Sequence, residues 1–155
     1  MKLTDLISQN NIYLDLEVES KKTLFKFIAN KISHLIKVDM NLILQKLNER
    51  EKLGTTSLGN GVAIPHTKID GQEGVFALLL KLKRAIRFSN DDPKNVELVF
   101  VVIAPENEQT DHLLALSVIS KFLKKKNIIN RTCKAKNVGQ ILSLIHISEP
   151  TRHES

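Results

Sequence analysis

One cysteine, no tryptophan and a single tyrosine stand among the 155 residues. Cys133 therefore has no partner for an internal disulfide, and no thiol pair is offered for redox exchange or a cysteine-based zinc site. Its expected place is that of a small helix residue. The chain also lacks a His-x-x-x-His pair, and no paired carboxylates flank the histidine considered below, so no metal site is expected and no cofactor motif is visible. A Gly-x-x-x-x-Gly-Lys-Ser/Thr loop is missing too, which removes the usual route to direct use of ATP. Apolar runs stop well short of the roughly 20 residues that span a bilayer. Near the N-terminus, Lys2 is followed by the polar mixture Thr4, Asp5, Ser8, Gln9 and Asn10, which is not the pattern of a secretory leader. No membrane insertion is expected, and the expected location is cytoplasmic.

What the chain does contain is ordinary for one compact domain: 42% hydrophobic and 26% charged residues, enough length to bury a full core. Its net charge of +6 and pI near 9.5 raise the question of nucleic acid. Lys121, Lys124, Lys125, Lys126, Arg131, Lys134 and Lys136 cluster late in the chain, but no aromatic residues interleave with them to stack on bases. Nucleic-acid binding is not expected. The cluster reads as a solvated helix face or as a positive rim that steers an acidic partner.

Hydrophobic spacing alternates between helix and strand periods. Leu3 to Gln9 reads as a short helix behind Thr4, and Ile12, Leu14 and Leu16 as a half-buried strand. Ser20 caps a long helix with Leu24, Phe25, Phe27, Ile28, Ile32, Leu35 and Ile36 on its inner stripe; His34 lies on it as a bystander. Asp39 caps the next helix, which runs to Arg50. Strands are expected at Val62–Ile64, Val75–Leu82, Ile86–Phe88 and Val96–Ile103, the last apolar enough to be covered on both faces. A helix follows Thr110 or Asp111 as N-cap, and a weak final helix covers Arg131–Gln140 with Gly139 near its end. Helices before, between and after strands predict an α/β domain, a mixed sheet with helices on both sides.

The chemistry concentrates in Gly54-Thr55-Thr56-Ser57-Leu58-Gly59-Asn60-Gly61-Val62-Ala63-Ile64-Pro65-His66. Gly54, Gly59 and Gly61 permit positive φ, and exposed N–H groups of such a loop can form an anion-binding nest. Pro65 stiffens the backbone before His66. Arg50, at the end of the preceding helix, brings a guanidinium suited to forked contact with phosphate oxygens. Thr55, Thr56 and Ser57 add hydroxyls at the rim, with Gly59, Asn60 and Gly61 as candidate phosphate-binding backbone. A second histidine, His112, falls in the first turn of its helix, where free N–H groups favour an anion. From these residues alone, His66 is either a histidine that accepts or relays a phosphoryl group or a structural loop histidine, and His112 either assists it or is an exposed first-turn residue.

Leu47-Asn48-Glu49-Arg50-Glu51, the Gly-Asn-Gly-Val-Ala-Ile-Pro-His string, Ala104-Pro105-Glu106 and the His112-Leu113 helix start together resemble the IIA phosphocarrier domains of the bacterial phosphoenolpyruvate-dependent phosphotransferase system. Within that family the resemblance is to the fructose/mannitol superfamily and its nitrogen-related, IIA-Ntr branch. It spans roughly residues 1–141. The resemblance implies a three-layer αβα sandwich, His66 as phosphoryl acceptor, and His112 and Arg50 as assisting residues. It also implies a protein donor, an HPr/NPr-type phosphohistidine carrier, and as the next partner either a regulatory target protein or a IIB sugar-permease domain. Phosphohistidine chemistry of this kind is transferase-like. Ser57 and Thr67 stand where many relatives have glycine, which bears on loop geometry and partner preference and leaves the reacting groups in place.

The end of the chain reads differently. Leu142-Ser143-Leu144-Ile145-His146-Ile147-Ser148-Glu149-Pro150-Thr151-Arg152 resembles the in-frame translation of a transposase-type library adapter. The expected division is a IIA-type domain over 1–141 and a non-native tail over 142–155, in which His146 and His153 have no functional meaning.

Overall fold

The computed structural model describes residues 1–107 and 109–147. In chain order the elements are α1 (Leu3–Leu6), a 3₁₀ turn at Gln9–Asn11, β1 (Ile12–Leu16), α2 (Lys21–Ile36), α3 (Met40–Lys52), β2 (Val62–Ala63), β3 (His66–Ile69), β4 (Phe76–Ile86), β5 (Val96–Pro105), α4 (Gln109–Leu123), α5 (Ile128–Cys133) and α6 (Val138–Ile147). Both expected helix starts at Ser20 and Asp39 are capped by side chains: Ser20 accepts from the Thr23 N–H at 3.1 Å and Asp39 from the Leu42 N–H at 3.1 Å. Each satisfies one of the N–H groups a helix start leaves without a partner.

Strand β5 is the axis of the fold. It pairs antiparallel with β4 on one edge and parallel with β2 and then β3 on the other, while β1 adds to the far edge of β4 in parallel. Side chains of a strand alternate between faces, and the two cores follow that alternation. Leu98, Phe100 and Val102 of β5, with Ala77 and Leu79 of β4, pack toward α1, α4, α5 and α6. Val99, Val101 and Ile103, with Leu78, Leu80 and Leu82, pack toward α2 and α3. The molecule is thus a mixed sheet between two helical layers.

Several expected elements differ. Val75–Leu82 and Ile86–Phe88 merge into β4, one long strand with a register shift between Lys81 and Ile86; the charged run Lys83-Arg84 lies on exposed positions and breaks the apolar alternation without breaking the strand. His66–Ile69 forms β3, because its backbone pairs with the far end of β5, a tertiary partner that local pattern does not reveal. The first helix is only Leu3–Leu6, preceded by Lys2, whose N–H bonds the Asp5 carboxylate at 2.9 Å, so Thr4 is inside it. Thr110 and Asp111 are likewise inside α4, which begins at Gln109. The single expected helix Arg131–Gln140 is two: α5 ends at Cys133, and α6 starts at Val138 behind Asn137, whose side chain accepts from the Gln140 N–H at 2.9 Å. Gly139 falls near the beginning of α6. That helix runs through position 142 to Ile147 and buries both Ile141 and Ile145 in the core beside α1. The remainder of the adapter-like segment, including Glu149, Arg152 and His153, lies outside the described residues.

The doubly packed sheet leads to a stability prediction. Phe100 is fully buried, with its ring 6.2 Å from that of Phe122. Phe100→Ala should lower unfolding free energy by about 3–5 kcal/mol in urea titration, since the strand is held on both faces and the cavity has little room to collapse.

Candidate phosphoryl-transfer site

Arg50 stands in the last turn of α3, which closes with the Leu53 N–H on the Arg50 carbonyl at 3.2 Å. From there its guanidinium reaches in two directions. Nη1 donates to the Gly54 carbonyl at 2.9 Å, and Nε donates to Nε2 of His66 at 3.3 Å. On the other side of the imidazole, Nδ1 lies 2.7 Å from the Ile64 carbonyl. A carbonyl only accepts, so Nδ1 carries the proton and Nε2 presents its lone pair. The tautomer is therefore set by backbone, and the unprotonated nitrogen accepts from the cation.

β3 register puts His66 opposite Val102 and Lys68 opposite Ala104. His66 and Lys68 thereby share the face that Val102 turns toward α4. His112, one turn into α4, is 8% exposed and packs edge-on against His66, ring centroids 5.4 Å apart at 78°. Both of its ring nitrogens are buried without a hydrogen-bond partner among the described residues. A cleft of about 520 Å³ opens over these groups, lined by Lys46, Glu49, Arg50, Leu53, His66, Thr67, Lys68, Glu106 and His112. It holds three cationic side chains from α3 and β3, a nucleophilic imidazole nitrogen, and a second imidazole with no bond yet made.

These are the three reacting residues expected from sequence, brought together from α3, β3 and α4. The phosphate-binding loop expected beside them is not. Thr55, Thr56, Ser57, Gly59, Asn60 and Gly61 all lie off the wall of that cleft. Thr56 is 5% exposed and gives its hydroxyl to Glu51 at 2.6 Å; the Thr55 and Ser57 hydroxyl oxygens accept from the N–H groups of Ser57 and Gly59. Asn60 and Gly61 line a different cavity, of about 470 Å³, with Lys94, Asn95 and Glu97. The reason is strand register: the Gly61 carbonyl pairs at Glu97 and Leu98 whereas His66 pairs at Val102. That separates them by about 15 Å along the sheet at the usual rise per residue. Glycine at 61 serves the turn into β2, with φ of +89° and room for a Cβ only 3.5 Å from the Lys94 side chain.

Comparison with known proteins decides which family this arrangement belongs to. Residues 5–147 match the family model described as phosphoenolpyruvate-dependent sugar phosphotransferase system, EIIA 2. The chain belongs to that family. Among its relatives, a nitrogen regulatory protein of Bradyrhizobium diazoefficiens is 36% identical over 151 residues, covering 97% of this chain and 99% of that protein. The crystal structure of nitrogen regulatory protein IIA-Ntr from Neisseria meningitidis superposes with a TM-score of 0.85 at 29% identity, covering 92% of this chain and 98% of that one. The IIA subunit in a complex of mannitol enzyme IIA with phosphorylated enzyme IIB from Escherichia coli has the same fold, with a TM-score of 0.78 at 22% identity over 90% of this chain and 96% of that one. Among the described residues of this EIIA domain, no helix is long and apolar enough to cross a membrane.

Electrostatics in the EIIA cleft keep both imidazoles neutral. Burial pushes the His66 pKa below its ordinary value of 6.5; the Ile64 carbonyl opposes this, the Arg50 charge adds to it, and the Glu51 charge opposes it. Burial pushes His112 further, to about 4, with the charges on His66 and Lys68 adding to the effect. Both shifts favour the neutral imidazole, the form with a nitrogen lone pair to offer.

Glu51 is the residue whose place sequence reading did not find. It follows Arg50 on α3 and takes a 2.7 Å ion pair from Lys21 on α2, with a side chain only 8% exposed. Burial would raise its pKa, but bonds from Lys21 and from the Thr56 hydroxyl and N–H outweigh that and hold it low. The available signal was a helix-end Glu next to the candidate Arg50, which does not by itself name a half-buried cation 30 residues away.

Because both histidines have folded pKa values below the unfolded one, the unfolded chain binds more protons between pH 6.5 and about 4. Their contribution to stability is complete above 6.5 and disappears as pH falls. His112→Asn should flatten the pH dependence of unfolding free energy in that interval by about 3 kcal/mol, measured by denaturant titration at stepped pH.

Proposed function

We propose that this chain is a phosphocarrier that accepts a phosphoryl group on Nε2 of His66 from the phosphohistidine of an HPr/NPr-type carrier protein, and that it acts as a regulatory IIA of the nitrogen-related kind in the cytoplasm. The observation that carries the reading is the polarised imidazole: Nδ1–H on the Ile64 carbonyl, Nε2 unprotonated and accepting from Nε of Arg50. In the transfer, the Nε2 lone pair forms the new N–P bond in line as the donor's N–P bond breaks, and the donor leaves as a neutral imidazole. The His66 ring then carries positive charge, which the Ile64 carbonyl stabilises through the Nδ1 proton. Charge on the equatorial oxygens meets Arg50, Lys46 and Lys68. His112 supplies a nitrogen that has no competing partner to leave.

A protein donor suits the rim. Leu53, Leu113 and Leu114 are 85%, 65% and 43% exposed, and Leu53 lines the cleft itself. Large apolar side chains exposed around a polar centre are the usual makings of a transient protein contact. The regulatory reading rests on the likeness to nitrogen regulatory proteins over nearly the whole length of both chains. A second reading is a sugar-transport IIA that hands the phosphoryl group to a fructose/mannitol-type IIB domain; it rests on the shared fold with the mannitol IIA seen bound to phosphorylated IIB.

The test is phosphorus NMR after incubation with phosphoenolpyruvate, the first enzyme of the system and the charged carrier. An acid-labile phosphohistidine resonance is expected in the wild type and none in His66→Ala. Arg50→Ala and His112→Ala should each slow transfer by about 10²–10³, the cost of losing one preorganised charge-stabilising group, while still forming the resonance at long times. Absence of signal in folded wild type beside a charged carrier would overturn the phosphocarrier assignment.

A further inference from the structure

We propose that Glu51 is a positioning residue for phosphoryl transfer, holding Nδ1 of His66 on the Ile64 carbonyl through the loop that leaves α3. This inference deepens the phosphocarrier reading and rests on it.

Two hydrogen-bonded routes leave the end of α3 and meet on the same imidazole. The short one is Arg50, whose Nε reaches Nε2 of His66. The longer one starts at Glu51. Its Oε2 takes the Thr56 N–H at 3.0 Å and its Oε1 the Thr56 hydroxyl at 2.6 Å. The Thr56 carbonyl accepts from the Ile64 N–H at 2.9 Å, and the Ile64 carbonyl accepts from Nδ1 of His66 at 2.7 Å. Successive helix residues point about 100° apart, so Arg50 and Glu51 grip the intervening loop at separate points, Arg50 at the Gly54 carbonyl and Glu51 at Thr56. The ring is held from both sides by neighbours on one rigid helix end.

Lys21 anchors the device. Its ammonium donates to Oε2 of Glu51 at 2.7 Å and to the Phe88 carbonyl at 3.3 Å, and lies 4.6 Å from the Phe88 ring centroid. A carboxylate this buried is costly unless it is paired and hydrogen-bonded. Here one cation and two donors from Thr56 supply three bonds to it, so the charge is tied to one loop geometry. Shifting the loop would strand it.

Glu51 touches none of the reacting atoms, so its role separates from a charge effect in a variant that keeps the charge. The groups that face His66 are Arg50, Glu49 and Lys46 on α3, Lys68 on β3, His112 on α4 and Glu106 beyond β5. If Glu51 acted only through its charge, neutralising it would lower the His66 pKa, because that charge favours the imidazolium, and Thr56→Val, which leaves the carboxylate in place, would change nothing at His66. If it acts by position, Thr56→Val releases the loop as Glu51→Gln does, and the Ile64 carbonyl no longer fixes the proton on Nδ1.

The experiment is nitrogen-15 NMR titration of His66 in wild type, Glu51→Gln, Thr56→Val and Thr56→Ser, beside single-turnover phosphoryl transfer from the charged carrier. Positioning predicts a mixed His66 tautomer in both Glu51→Gln and Thr56→Val, a transfer rate down about 100-fold as expected for a displacement near 1 Å, little change in the concentration of carrier needed for half-maximal rate, and recovery toward wild type in Thr56→Ser. A single Nδ1–H tautomer in Thr56→Val, or transfer within twofold of wild type, would overturn it. The NMR readout needs no donor, so it decides the point even if the wild type takes no phosphoryl group. Should Glu51→Gln fail to fold, the Thr56 pair carries the test.

Discussion

Strand β5 is bonded along both edges and packed on both faces, and the placement of the reacting groups follows from that burial. A strand with nothing exposed but part of Glu97 has one register in which its apolar side chains reach both cores, since a slip of one residue would exchange the faces. That register sets β3 against Val102 to Pro105, and so sets the height of His66 on the sheet. The same strand runs out into α4, which brings His112 to the side on which His66 lies. Two imidazoles 46 positions apart in the chain meet because both are measured from one immobile strand.

The low local polarity that this packing creates also selects the chemistry. A cation beside an imidazole favours the neutral ring, and burial favours it more strongly. Neither effect would survive in open water, where Arg50 at 3.3 Å would be largely screened. In the half-buried cleft the result is a His66 imidazole biased toward its neutral form and a second neutral ring whose nitrogens lack partners among the described residues. An unpaired buried nitrogen costs stability on its own account, and a site that receives a charged group part of the time is where such a cost is retained. The phosphoryl group arriving from a carrier is the proposed occupant.

The loop between α3 and β2 divides into two halves with different work. Its first half, Gly54 to Thr56, is bound back onto the helix end by Arg50 and Glu51. Its second half, Gly59 to Gly61, makes the turn that enters the sheet some 15 Å from His66. The glycine-rich appearance of the whole segment suggested a phosphate nest, and the separation of the halves by strand register is what removes the second half from the cleft. Hydroxyls that looked available are engaged: Thr56 is committed to Glu51.

Much of this protein was legible in its sequence. Helix caps at Ser20 and Asp39, the inner stripe of α2, the apolar run of β5 and the α/β class are local consequences of residue type and spacing, and the Arg50, His66 and His112 motifs carried enough chemistry to select the family. The misread strands share one cause. β3 exists because β5 offers it an edge, and β4 runs past Lys83 and Arg84 to pair again at Ile86 with Val96; partners distant in the chain outweighed local preference, whereas the break between α5 and α6 follows a local side-chain cap at Asn137. The sequence by itself determined which residue types could react and which helices could form, since those depend on neighbours a few positions away. Only the tertiary structure decided which nitrogen of His66 carries the proton, that the Thr56 hydroxyl is spoken for and that Glu51 meets Lys21, because each of those is set by a hydrogen bond to a group that register and packing bring alongside.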